Sequence, residues 1–257
     1  MELSTGHVTV DVTGEGPPLV LLHSLLTDAA AFDQIEPSLA RDHLVCRVSL
    51  PGFDGSAPLT DPDVFDLAEV VAGAMGELDL GKDTSVLGNG LGGFIAVALA
   101  ARHGDRFDRL IATNCGAVFT HERAEAFGTM SGLVEEGGME AVVDVAVQRV
   151  FPADFLEKHP EIIAERREVL LRVDPGAFAA ACRALAAMDL RPHLGSIENP
   201  TLVVVGADDA TTPPEMADEL AHGIPNAERV VIDDCGHCPQ LQQPDALLAA
   251  VESFLDS

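Results

Sequence analysis

The chain has 257 residues, is 47% hydrophobic, and sets 42 Asp and Glu against 15 Lys and Arg, a formal net charge of −27. That length suits one large domain, or a core domain carrying a small insertion. So acidic a surface repels phosphate backbones and anionic lipid, which argues against nucleic-acid and membrane partners.

The opening MELSTGHVTV has neither the basic stretch nor the apolar stretch of a signal peptide. The longest apolar run, residues 91–101, is too short to span a bilayer. A cytoplasmic location is therefore expected. Residues 8–12 alternate as a strand and end at Gly14-Glu15-Gly16, a hairpin signal. Residues 18–23 form a continuous apolar run, as expected of a strand buried on both faces. Residues 29–40 have helical spacing through Phe32, Ile35 and Leu39. Strands are expected at 43–50, 84–87, 109–114, 200–206 and 229–232, and helices at 66–78 and 244–255. Between Asn114 and Asn199 the pattern becomes helix after helix (139–150, 160–172 and 175–188) with no strand signal. Strands alternating with helices predict an α/β fold, a mostly parallel doubly wound sheet with a helical insertion between two core strands.

The five cysteines are Cys46, Cys115, Cys182, Cys235 and Cys238. Without a secretory signal, buried thiols are expected rather than disulfides. Cys235 and Cys238 have C-x-x-C spacing, but no second pair completes a zinc site. Neither a metal nor any other cofactor is expected.

In an open parallel sheet, ligands bind beyond the carboxyl ends of the strands. Four groups follow strands here: His23-Ser24-Leu25, the turn Gly88-Asn89-Gly90-Leu91-Gly92, Gly206-Ala207-Asp208-Asp209, and Asp234-Cys235-Gly236-His237. The order is turn, acid, histidine. With HSLLTD, PGFDGS, GNGLGG, GADDATTP and CGHCPQLQQPDAL, the chain resembles the α/β-hydrolase superfamily from end to end. Its closer similarity is to the 3-oxoadipate enol-lactonases and related small esterases and lactonases. The resemblance implies a core at 1–118 and 193–257 with a helical cap at 119–192. It implies His237 as general base and Asp209 as the acid orienting it, Asp208 being the alternative one residue away. It also implies an oxyanion hole from the backbone N–H groups of Leu25 and Leu91. His23 is expected to be structural. Ser49 departs from the aspartate often found before Leu-Pro-Gly in the family.

The nucleophile's position in G-x-S-x-G is held by Gly90. Residues at such an elbow are strained by about 1–3 kcal/mol unless they are glycine. Acyl-serine chemistry at position 90 is excluded. Three explanations stay open. The His237–Asp209 pair acts without a covalent step, on a water in the space of the missing side chain or on an acidic substrate proton. Alternatively, the chain is a non-catalytic binder, or a serine esterase or lactonase inactivated by replacement. Retention of the pair favours the first. Ser24 and Cys115 are the other candidate reactive groups in the pocket. Met139, Phe151, Phe155 and Phe178 are expected mainly in the insertion core, some reaching the pocket. The expected partner is a small, fairly apolar carbonyl compound, and a homodimer stays open.

Overall fold

The computed structural model describes residues 2–5, as backbone, and 8–257. Strands β1 (Glu2–Thr5), β2 (Val8–Thr13) and β3 (Pro18–Leu22) are followed by the short helix α1 (Glu36–Leu39) and strand β4 (Leu44–Ser49). Next come α2 (Val64–Glu77), β5 (Ser85–Asn89), α3 (Leu91–His103) and β6 (Arg109–Thr113). Helices α4 (His121–Gly137), α5 (Val143–Val150), α6 (Ala153–Lys158), α7 (Pro160–Leu171) and α8 (Pro175–Ala187) follow. The chain finishes with α9 (Arg191–Leu194), β7 (Thr201–Gly206), α10 (Pro214–Gly223), β8 (Ala227–Ile232), α11 (Pro239–Gln242) and α12 (Pro244–Leu255).

The strands make one sheet in the order β1-β2-β4-β3-β5-β6-β7-β8. Pairing is parallel from β4 through β8, while β1 and β2 add an antiparallel edge. The α/β expectation is met. Alternation along a strand sends successive side chains to opposite faces. In β3, Val20 and Leu22 join the larger apolar cluster with α2 and α3, whereas Leu19 and Leu21 join a second one with Phe32, Leu39 and α12. A strand apolar at every position can satisfy both clusters only from the sheet interior. That requirement corrects the hairpin reading of Gly14 to Gly16. β4 lies between β2 and β3, so the turn crosses to a non-neighbouring strand. Among the described residues no helix is long and apolar enough to cross a membrane.

Among the further differences from the sequence reading, two concern the core and the helices over the site. Residues 29–40 are a short 3₁₀ turn at Ala29–Phe32 followed by α1, not one helix. Pro37 lacks an amide hydrogen and its ring clashes with a carbonyl four residues earlier, which stops a continuous helix. Phe32, Ile35 and Leu39 are buried nevertheless, so periodicity reported burial correctly and helix continuity wrongly. The second difference is α4, a 17-residue helix to which the sequence pattern did not point. Its run HERAEAFGTMSGLVEEG holds Gly128 and Gly132 and buries only Met130, Ser131 and Val134. It packs along α8.

Candidate active site

The tight turn between β5 and α3 is held by backbone hydrogen bonds and by glycines at close approaches. Gly90 takes φ +54° and ψ −118°, a region that glycine enters without strain. Its N–H donates to the Thr113 carbonyl at 3.0 Å, and the Gly92 N–H donates to the His23 carbonyl at 3.0 Å. A Cβ on Gly92 would stand 2.2 Å from the Leu22 carbonyl oxygen, so only glycine lets α3 approach β3 this closely. The elbow is thus locked to the strands on either side of it.

Asp209 leaves the end of β7 and His237 the loop after β8, and the two meet. His237 Nδ1 is 2.9 Å from Asp209 Oδ2. Asp208 is exposed on the other side of the loop, so the acid facing the imidazole is Asp209. The carboxylate also accepts from the Thr211 N–H (2.8 Å) and the Thr212 N–H (3.0 Å) on Oδ1. On Oδ2 it accepts from the Thr212 hydroxyl (2.6 Å) and the Asn114 amide (2.8 Å). Burial alone pushes the Asp209 carboxyl up; the adjacent His237 ring, its hydrogen bond, Thr212 and Asn114 outweigh burial and hold it below its ordinary value. An acid held as carboxylate fixes Nδ1 of His237 as the donor, which leaves the Nε2 lone pair free. Asn114 and Thr212 escaped the sequence reading, although both follow strands at the carboxyl edge of the sheet. So did Asn89, whose amide donates to the His237 carbonyl at 3.0 Å and ties the elbow to the histidine loop.

Nε2 of His237 faces the loop after β3. Ser24 Oγ lies 3.4 Å from it. The loop is pinned by its own contacts. His23 Nδ1 donates to the Ser24 carbonyl (2.9 Å) and His23 Nε2 accepts from the Leu50 N–H (3.0 Å), which sets the neutral tautomer. Burial holds the His23 imidazole below its ordinary pKa. The Ser24 N–H donates to Thr27 Oγ1 at 3.1 Å. Neither the Leu25 nor the Leu91 N–H has an acceptor among the described residues. A cavity of about 20 Å³ is lined by Ser24, Leu25, Gly90, Leu91 and His237 at its floor, with Phe94, Phe119, Phe127 and Leu185 above. At that volume it accommodates one water-sized group. Larger surface depressions, such as the one of about 500 Å³ beside Phe155 and Arg166, do not reach His237.

The helical segment closes over these loops through polar contacts as well as aromatic ones. Arg123 on α4 donates to the Ala210 (2.7 Å) and Thr211 (2.8 Å) carbonyls. At the end of α5 the Arg149 carbonyl accepts from the Thr211 hydroxyl (3.1 Å), and the Val150 carbonyl accepts from the His237 N–H (3.2 Å). The aromatic residues of the helical segment that reach the site are Phe119 and Phe127. Met139, Phe151 and Phe178 are buried elsewhere, and Phe155 stacks on Phe151 away from the cavity.

Cys115 does not join the site. It is fully buried behind Gly93, whose Cβ would stand 2.8 Å from the thiol sulfur, and it does not line the cavity. Burial, with the nearby Asp209 carboxylate, pushes its thiol up. All five cysteines are buried and unpaired. Burial raises Cys46 to about 11, and Cys182 and Cys235 to about 12, and thiols so raised are inert at neutral pH. The folded chain should therefore give no reaction with a thiol-specific chromophore, and five equivalents once unfolded. Rapid labelling of any cysteine in the folded protein would contradict this placement.

A family profile described as "Alpha/beta hydrolase family" matches residues 19–251. Among curated proteins, the pimeloyl-[acyl-carrier protein] methyl ester esterase of Nitrosomonas europaea is 25% identical over 254 residues, covering 96% of this chain and 99% of the esterase. The 3-oxoadipate enol-lactonase 2 of Acinetobacter baylyi is 28% identical over 240 residues, covering 93% of this chain and 88% of the lactonase. Among solved structures, the enol-lactonase of Burkholderia xenovorans superposes with a TM-score of 0.91 at 29% identity over 100% of both chains.

Proposed function

Because the chain belongs to the alpha/beta hydrolase family, we propose that it hydrolyses a small, largely apolar ester or lactone with the His237–Asp209 pair as general base. The observation that carries this reading is the braced imidazole, with Nδ1 committed to a carboxylate at 2.9 Å and Nε2 open to the cavity. A base in that state takes the proton from the hydroxyl that attacks a carbonyl, including the water that releases the acid product. The Leu25 and Leu91 N–H groups, unspent on protein acceptors, would hold the oxyanion as it develops. No acyl-enzyme forms at position 90. The esterases and lactonases among the relatives support the reaction class. The apolar walls from Leu26, Phe94, Phe119, Phe127 and Leu185 support an apolar substrate that makes few hydrogen bonds. Residues 119–192 act as the cap, and this segment has to move for substrate to enter, since the closed cavity is smaller than any ester.

The test is a panel of short-chain 4-nitrophenyl esters and five- and six-membered lactones, followed by acid release at constant pH. Turnover above the buffer rate on at least one member is expected. Saturable binding across the panel without acid release would instead make the chain a receptor.

A further inference from the structure

Position 90 lacks a side chain, yet the space beside it is occupied. A Cβ built there would lie 2.3 Å from Ser24 Oγ, 3.0 Å from Ser24 Cβ and 2.8 Å from His237 Nε2. Ser24 Oγ therefore stands inside the volume that a serine side chain at position 90 would fill. The space that the sequence reading gave to a water holds a protein hydroxyl. Among the described residues the only hydrogen-bond partner of that hydroxyl is His237 Nε2, at 3.4 Å. Separations of this length are common before substrate tightens a catalytic pair. Ser24 is buried, and His23 and Thr27 hold its backbone, which fixes the point from which its side chain projects. Any side chain at position 90 would displace it. Gly90 and the present placement of Ser24 are a matched pair.

We propose that Ser24 is the nucleophile, carried on the loop after β3 in place of the elbow. This rests on the general-base reading and assigns its first attacking hydroxyl. The Leu25 N–H follows Ser24 as the Leu91 N–H follows residue 90, so an oxyanion donor directly succeeds either position. In the first step Ser24 Oγ bonds to the substrate carbonyl carbon while its proton passes to His237 Nε2. The carbonyl electron pair moves to the oxygen between the Leu25 and Leu91 N–H groups. Collapse breaks the bond to the alkoxy oxygen, which takes the proton from His237, and Ser24 is left acylated. Water then attacks the acyl carbon, giving a proton to His237; the bond to Oγ breaks and that proton returns to Ser24.

A fluorophosphonate probe, read by intact mass and then by peptide mapping, tests the assignment on the full chain. One equivalent should attach, on the peptide bearing Ser24, and none on His237→Ala. Ser24→Ala keeps the backbone contacts of the loop. It should melt with the wild type, take no label, and lose about 10³-fold or more of any esterase turnover. Ser24→Cys should be alkylated by iodoacetamide in the folded state, while the five buried thiols stay unmodified. If Ser24→Ala hydrolyses within about threefold of wild type while His237→Ala is inactive, the Ser24 assignment falls and general-base attack by water stands. A label on any other residue, or no label on the folded wild type, also overturns it.

Discussion

Asp209→Asn should lower kcat by about 10⁴-fold, the fall that the same change produces in a serine protease by imposing the wrong imidazole tautomer. The arrangement here gives the substitution no escape. Five donors converge on the two carboxylate oxygens: two backbone N–H groups, the Thr212 hydroxyl, the Asn114 amide and the His237 ring. An amide has one acceptor oxygen and one donor nitrogen, so either orientation sets N–H against N–H or O–H. Where Asn turns its nitrogen toward the ring, Nδ1 becomes the acceptor, Nε2 acquires the proton, and the base is lost. His237→Ala should fall further, by up to about a hundredfold, because in a serine protease losing the histidine costs more than losing the acid that orients it. Single-turnover rates on the best substrate of the panel provide the check. Asp209→Asn within about tenfold of wild type would show that the carboxylate orients nothing.

The same substitution has a signature in acid. The folded-state pKa of Asp209 lies below its ordinary 3.8. Its contribution to stability is therefore complete above that value and is lost as pH falls through the lower, folded-state one. Stability of the wild type should fall through that window more steeply than that of Asp209→Asn, which has no proton to take up there. Urea midpoints between pH 5 and pH 2.5 measure the difference.

The frame of this site is legible in the sequence because it depends on local chemistry. Buried parallel strands show as apolar runs at 18–23 and 200–206. The elbow shows as a cluster of glycines, two of which, Gly88 and Gly92, would strike backbone with a Cβ, and the acid and the histidine follow strands in family order. What was not legible depends on approaches between segments far apart in the chain. Whether Ser24 points into the space over Gly90 is decided by the meeting of the loops after β3, β5 and β8. Residue type at position 24 carries no rotamer. Phe127 reaches the cavity because α4 lies over it, and α4 is hidden in the sequence because two interior glycines and several charged residues blur its periodicity. In sequence Asn114 reads only as the end of a strand. Only the adjacency of β6 and β7 turns it into a partner of Asp209.

The contact between the helical segment and the loop bearing Ser24 is the second place where one substitution should have a large effect. Arg166 on α7 reaches Asp28, at the end of HSLLTD, with Nη1 at 3.2 Å from Oδ1, and their side chains are only 3% and 5% exposed. Arg172 adds a longer contact to Asp28 at 3.7 Å from a side chain that is 59% exposed. Desolvating two charges is expensive, and the pair recovers that penalty only while both members are present. Arg166→Met leaves the Asp28 carboxylate buried with only the distant, solvated Arg172 opposite, which should destabilise the fold by about 3–5 kcal/mol. In a domain of this size each kcal/mol moves the melting temperature by roughly 2–4 °C, so a fall of about 6–20 °C is expected. Adding Asp28→Asn removes the stranded charge and should return much of the loss, since a neutral pair of similar volume is often as stable as a buried ion pair. Turnover separates the two variants further. Asp28 closes the loop that presents Ser24 and the Leu25 N–H, so Arg166→Met should lose kcat even at temperatures where it is fully folded. If the single variant melts within about 2 °C of wild type, the pair contributes nothing to holding the helices over the site, and the loop keeps its shape from His23 and Thr27 alone.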